Sequence, residues 1–360
     1  MHAMRTVHDV NLDDLIRLVA QGINVKRSEI VPYPDYTDFL TELFNMTCAP
    51  TSHLISAGHA TPEVEMAADR AATKPVEVFG VSPFATEVEA VLHSVQSTAD
   101  LIYVANPNRV SGNNFSLRDL TALARAIPRG YLIVDEYYFE FFGITALPLL
   151  AQFTNVVVLR SFTGSFGIAS IDSGYAVANR AVADQIRQAL THHRLSTTAK
   201  KTILAALLNR EAMSARLKEV HQESLRLCQE LTHMGVQTRL TATDFMLLRV
   251  ADPRRVGNAL ARHKVSIDNL DGYRELNNFL RYRVQSPLTN DKLIDAFKAM
   301  PEDDYKLTTE GLRALVMKRA GENVDSSTGV VGIDTDAVVE RRTVFDVETE
   351  ETATPEPVTR

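Results

Sequence analysis

Between Ser52 and Leu159 the chain repeats one unit: a short, mostly apolar run, then a turn, then a stretch with helical apolar spacing. The runs are Ser52–Ser56, Val76–Phe79, Leu101–Ala105, Tyr131–Val134 and Val156–Leu159, with helical patterns at Glu87–Val95 and Ser116–Ala126. Strands that are apolar throughout, rather than alternating, must be covered on both faces. A mainly parallel sheet between two helical layers provides that cover. The reading is an α/β fold, and the turn Gly58-His59-Ala60-Thr61-Pro62-Glu63, leading from strand to helix, forms half of a βαβ unit.

The flanking regions follow other rules. Asn11 caps a helix carrying Leu12, Leu15, Ile16, Leu18 and Val19. A Pro-rich turn, Pro32-Tyr33-Pro34-Asp35-Tyr36, then leads into a second helix around Phe39–Phe44. After the strand region comes one long helical stretch, about Arg180 to Met234. It gives way to an alternating β pattern at Thr238–Val250, a helix at Arg255–His263, a strand at Phe279–Val284 and a helix at Asp291–Met300. That order predicts a smaller α+β domain, joined by the N-terminal segment. The expected divisions are residues 1–50, an N-terminal segment; 51–235, the large domain; 236–304, the small C-terminal domain; and 305–360, a helix at Thr309–Arg319 followed by an acidic disordered tail.

Charge is concentrated in that tail. From Asp325 to Arg360 there are nine acids and three bases, so the segment carries −6 of the chain's net −7. The rest is nearly neutral, without a basic stripe, which gives nucleic-acid binding no electrostatic support. No stretch reaches the roughly 18 consecutive apolar residues of a membrane helix, and Met1–Arg5 lacks a signal-peptide core, so a cytoplasmic protein without a membrane partner is expected. Cys48 and Cys228 lie far apart without Cys/His partners, and His192-His193 point in different directions on a helix; no metal site is expected. Val330–Val338 looks like the first Asp-x-Asp motif of haloacid-dehalogenase phosphatases, through Asp334 and Asp336. Only 22 residues follow, too few for that fold, so the pair reads as fortuitous or as a truncated remnant.

Four segments carry the chemistry: Ala105-Asn106-Pro107-Asn108-Arg109-Val110-Ser111-Gly112, Val134-Asp135-Glu136-Tyr137-Tyr138, Ser161-Phe162-Thr163-Gly164-Ser165-Phe166-Gly167, and Ile171-Asp172-Ser173-Gly174-Tyr175. Each is expected to follow an apolar strand, the edge at which open parallel sheets bind ligands. With the Gly58 turn, they resemble the fold-type-I pyridoxal-phosphate enzymes. Within these the chain is most similar to histidinol-phosphate aminotransferases and threonine-phosphate decarboxylases, over about residues 30–300.

The resemblance implies roles for individual residues. Asp135 falls where a carboxylate pairs with the cofactor's pyridine nitrogen and keeps the ring an electron sink; the alternative is a strand-end Asp capping the next turn. Tyr138 matches the tyrosine that meets the cofactor's phenolic oxygen, or else belongs to an aromatic core cluster. Ser161 stands where a hydroxyl contacts the cofactor phosphate, and Ala60 and Thr61 form the helix N-terminus that receives it; both also suit plain capping. Tyr33 resembles the tyrosine that reaches the partner subunit's phosphate, or is a turn tyrosine. Arg281 would grip a substrate carboxylate by bidentate pairing, or is a surface strand residue. His59, beside the phosphate turn, is a candidate base.

Departures from the family pattern are equally specific. Gly164 stands in place of the Schiff-base lysine, and glycine has no amine to hold a cofactor or shuttle a proton. The nearest other lysines in sequence, Lys74 and Lys200, lie outside this loop. The family's Asn-Pro-Thr-Gly, whose Asn hydrogen-bonds the cofactor's ring oxygen, reads Arg109-Val110-Ser111-Gly112, so a cation replaces the amide, and Asp172 replaces the arginine that binds phosphate. Only 50 residues separate Gly58 from Asn108, and the ring-stacking aromatic is not recognisable, with Phe79 or Phe84 as substitutes. The implied protein is a homodimer for an amino-acid- or amine-type ligand, with pyridoxal phosphate or pyridoxamine phosphate held non-covalently if at all, and without normal transaminase turnover. The alternative is a non-catalytic binding, regulatory or heterodimer partner.

Overall fold

In the computed structural model the described residues are 11–48, 52–80, 82, 84, 87–164, 172–190 and 194–307. The expected helix at Thr309–Arg319, the acidic tail, the Asp334/Asp336 pair and His192-His193 lie outside them. The apolar runs form strands as their composition requires: β1 (Ile30–Tyr33), β2 (Leu54–Ala57), β3 (Pro75–Val78), β4 (Leu101–Ala105), β5 (Tyr131–Asp135), β6 (Val156–Ser161) and β7 (Gly174–Ala178). They assemble in the order β1-β7-β6-β5-β4-β2-β3. Neighbours from β3 through β6 are parallel, while β7 runs antiparallel to β6 and β1 antiparallel to β7.

Burial explains why these strands read as apolar throughout. Ile102, Val104, Leu132, Val134, Val156 and Val158 feed one core, and Leu101, Tyr103, Ala105, Ile133, Val157 and Leu159 feed the other. Successive residues thus alternate between two cores, each such aliphatic side chain contributing about 2 kcal/mol by leaving water.

Three local expectations change. The Pro32 segment is a strand rather than only a turn, and as the sheet's edge it tolerates a proline that cannot donate to a ladder. Through β1 the N-terminal segment belongs to the large sheet, not to the small domain. The long helical stretch is three helices, Arg180–Ala189, Thr197–Leu208 and Arg210–His233. Ser196 and Asn209 accept the N–H groups of Ala199 and Ala212 and so restart the helix twice.

The second sheet has the order β10-β11-β9-β8, with β8 (Gln237–Leu240), β9 (Phe245–Arg249), β10 (Asp268–Asn269) and β11 (Phe279–Arg283), all antiparallel. One face, with Met246, Leu248, Leu280 and Tyr282, packs on the helices Arg210–His233, Pro253–Arg262 and Pro287–Ala299. The other face presents Phe245, Leu247 and Phe279, which cluster with Val110, Tyr137 and Tyr138 from the large sheet's loops. That cluster brings the two sheets together at the segments singled out in the sequence.

Candidate functional site

The site is built on the C-terminal ends of β2, β4, β5 and β6, where parallel strands leave loops free to carry chemistry. The segment at 172–173 is an exception, because it precedes β7 rather than following a strand.

At its centre is Asp135, the last residue of β5 and 1% exposed. Its Oδ2 accepts hydrogen bonds from the hydroxyls of Tyr36 at 2.7 Å and Tyr103 at 2.8 Å. Its Oδ1 accepts the Tyr137 N–H at 3.1 Å. The two hydroxyls are 2.8 Å apart, but with both protons spent on Asp135 this is a close approach rather than a third hydrogen bond. Burial first, and the adjacent Asp135 second, hold both phenols well above their ordinary range, so they remain donors.

Arg109 completes the cluster. Its Nη1 lies 4.0 Å from Asp135 Oδ2, and its guanidinium stacks over the rings of Tyr137 at 4.3 Å and Tyr36 at 5.1 Å. Nη1 is buried and makes no hydrogen bond. Burial opposes charge on this group, yet Tyr36, Asp135, Tyr137 and Tyr103 together raise it well above the ordinary arginine range. The arginine is aimed by its own loop. Asn108 Oδ1 accepts the N–H groups of Val110 and Ser111, and Asn108 Nδ2 donates to the His59 carbonyl. Gly112 at φ +75° lets this loop meet the second sheet, where a Cβ would come within 2.4 Å of Thr241 Cγ2.

The start of the helix Pro62–Arg70 is already engaged: the Ala60 N–H donates to Glu77 Oε1 at 2.7 Å. Thr61 is the N-cap residue, and its Oγ1 is buried without capping a backbone N–H of the helix. Around this turn the charges are mainly negative. Burial pushes Glu63 up, but Arg109 and local hydrogen bonds bring it below the ordinary carboxylate range. Asp172, whose side chain still reaches solvent, is raised by partial burial and by Asp35, Glu63 and Asp135, against the lowering effect of Arg109.

Other singled-out residues are elsewhere or otherwise employed. Gly164 is buried, and a Cβ there would meet Tyr137 Cε1 at 2.7 Å. Tyr138, 2% exposed, packs edge-on against Tyr137, Phe141 and Phe245, within the inter-sheet aromatic cluster. Tyr33 is 1% exposed, stacks on Phe39 and donates to the Arg160 carbonyl at 3.0 Å; it sits in its own chain's core rather than reaching toward a partner subunit. Ser161 Oγ accepts the Thr163 N–H at 2.9 Å, a local turn cap. Arg281 pairs Nε and Nη2 with Asp268 at 3.0 and 2.9 Å and donates Nη1 to the Arg109 carbonyl at 2.6 Å. His59 is 1% exposed between Phe79 and Tyr273, Nε2 lies 2.9 Å from the Arg274 carbonyl, and burial lowers its pKa. Phe84 packs against Phe279.

Sequence reasoning missed Tyr36, Tyr103, Tyr137 and Glu77. Only Tyr103 left a signal, as the one hydroxyl inside an otherwise aliphatic strand. Among the described residues, no group of three or more His, Cys, Asp or Glu side chains could hold a metal, and no helix is long and apolar enough to cross a membrane.

Comparison with known proteins agrees with this architecture. A family model described as aminotransferase class I and II matches residues 11–297. The histidinol-phosphate aminotransferase of Caldanaerobacter subterraneus subsp. tengcongensis is 28% identical over 199 residues, 55% of this chain and 56% of that one. The enzyme of the same name from Chlorobium phaeovibrioides is 27% identical over 217 residues, 59% and 60% of the respective chains. The chain therefore matches somewhat over half the length of these curated relatives. Among solved structures, histidinol-phosphate aminotransferase from Sinorhizobium meliloti in complex with pyridoxal-5'-phosphate superposes with TM-score 0.72 at 19% identity, covering 84% of this chain and 82% of that one. L-threonine-O-3-phosphate decarboxylase from Porphyromonas gingivalis gives TM-score 0.66 at 18% identity, covering 82% and 90%. At these identities the structural likeness speaks for the fold.

Proposed function

Because the chain belongs to the class I and II aminotransferase family, we propose that it is a member that has lost transaminase turnover and uses the sheet edge beside Asp135 to hold an amino-acid- or amine-type small molecule. The observation that carries this reading is the packing at Gly164. In the notation of the family motif this is the lysine's place, and here the Tyr137 ring stands 2.7 Å from where even a Cβ would be. A side chain that forms a covalent link and moves a proton needs both an amine and a path to the reacting carbon; this position supplies neither. Ligand binding is supported by Arg109 Nη1, a buried donor lacking an acceptor, which a ligand carboxylate would complete. Arg281, by contrast, would first have to release Asp268. By the same family resemblance we place the protein in the cytoplasm as a homodimer, with no nucleic-acid or membrane partner.

The test is an amino-group transfer assay with pyridoxal phosphate, a panel of amino-acid donors and a 2-oxo acid acceptor. No product above the cofactor-only background is expected, and turnover that disappears on boiling would overturn the reading. Gly164→Lys alone is expected to stay colourless with pyridoxal phosphate, because Tyr137 fills the path. Adding Tyr137→Ala, Arg109→Asn, Asp172→Arg and Glu77→Ala should produce the absorbance of a lysine-bound cofactor; a folded but colourless quintuple variant would mean that position 164 is not the lysine's place.

A further inference from the structure

We infer that Arg109 and Glu77 occupy, as permanent parts of this chain, the places of the cofactor's ring cation and phosphate, so that the site is closed by the protein's own charges and takes neither pyridoxal phosphate nor pyridoxamine phosphate. This is more than a missing lysine, since a chain without the lysine could still hold the pyridoxamine form non-covalently. It stands on geometry independent of position 164.

The first anchor is Asp135. A protonated pyridine nitrogen needs an open acceptor site on the carboxylate, but Oδ2 is filled by two phenols and Oδ1 already accepts a backbone N–H, leaving at most one lone pair. The cation facing it is Arg109, held between the Tyr36 and Tyr137 rings. A protonated ring entering here would meet a buried guanidinium at close range, in surroundings that screen it poorly. The second anchor is the helix start. A phosphate binds there through backbone N–H groups, but the Ala60 N–H is given to Glu77 at 2.7 Å, with Glu63 and Asp172 on the same side. A dianion would face three carboxylates where the family resemblance implies an arginine. The residues present do not fit the cofactor at either end.

Arg109 draws both Glu63 and Asp172 toward their charged forms, although Asp172 stays above the ordinary carboxylate range and Arg281 also acts on Glu63, so the guanidinium offsets part of the repulsion among these acids. Its loop is fastened to the second sheet by the bond from Arg281 Nη1 to the Arg109 carbonyl. Arg109 thus sets a positive charge beside the strand-end carboxyl of Asp135, while its carbonyl is tied to the second sheet.

The experiment uses the full chain purified without added cofactor, melted in increasing pyridoxamine phosphate, with inorganic phosphate as control. The pyridoxamine form carries no aldehyde and cannot label surface lysines. A site with Kd of about 10 µM would raise Tm by several degrees at about 1 mM ligand. The expected result is no shift beyond the phosphate control, and a saturable shift accompanied by induced circular dichroism in the cofactor band would overturn the inference. In parallel, Arg109→Met is expected to lower Tm by roughly 5–10 °C, with Asp135→Asn in the same chain recovering part of the loss. An Arg109→Met protein melting with the wild type would equally overturn it. Should pyridoxamine phosphate bind while no amino group is transferred, this inference falls and the proposed function stands; amino-group transfer would bring down the proposed function.

Discussion

Asp135 and Glu136 are neighbours at the end of one strand, each beside an arginine, yet the two pairs are built differently. Glu136 turns to the side of the sheet where Arg160 lies, and there every polar group is spoken for. Arg160 Nε donates to Glu136 at 3.0 Å and Nη2 to Thr145, while Glu136 also accepts the Ala146 N–H and the Thr145 hydroxyl. Phe139 caps the guanidinium at 3.5 Å. Asp135 turns to the other side, where its arginine stays 4.0 Å away and keeps one buried nitrogen without a hydrogen bond. A buried ion pair is worthwhile only when its hydrogen-bonding capacity is filled. The Glu136 pair meets that condition and belongs to the scaffold. The Asp135 pair does not, and the proposed function places the ligand on this incomplete side of the sheet.

The comparison can be broken by substitution. Arg160→Met should produce the largest loss of stability, about 3–5 kcal/mol, because it leaves the buried Glu136 carboxylate without its counter-charge and without the two guanidinium nitrogens that lie 3.0 Å from it; urea unfolding measures it. Arg109→Met should cost less than that in the same assay, since fewer hydrogen bonds are lost. If the order is reversed, the assignment of scaffold and site must be exchanged. Tyr103→Phe removes one of the two hydroxyls on Asp135 and should cost about 1.5 kcal/mol, with Tyr36→Phe similar. Equal stability of the two variants and the wild type would mean that Asp135 is held by other groups.

The smallest expected effect is a pH dependence. His59 is buried and its folded-state pKa lies below the ordinary histidine value, so the unfolded chain binds the proton first. Stability contributed at this position is present above about pH 6.5 and is lost as pH falls through the lower folded value. His59→Phe should flatten this part of the stability profile, and an unchanged slope would assign it to other groups.

Much of the fold was legible because its signals are local. Continuous apolar runs required two covered faces, and β4, β5 and β6 lie within a residue or two of where the pattern put them. The described parts of the segments expected to carry chemistry lie at the same end of the strands, while residues 165–167 and Ile171 lie outside the described residues. What the sequence misjudged depended on position in the assembled sheet. Pro32 reads as a turn until its strand is known to be an edge, and Gln237–Leu240 and Phe245–Arg249 read as one β stretch until the Thr243 hydroxyl, taking the Phe245 N–H, turns the chain between them.

The sequence by itself determined the layered α/β architecture, the family, and the residue types that depart from the family pattern, since each follows from periodicity or from a motif a few residues long. Only the tertiary structure decided what those departures do. That Glu77 reaches the Ala60 N–H, that Tyr36 and Tyr103 converge on Asp135 from 99 and 32 residues away, and that Tyr137 covers Gly164 are results of strand register and sheet packing. No local pattern encodes them, because a charge or hydroxyl is paired by whatever the fold brings within about 3 Å of it.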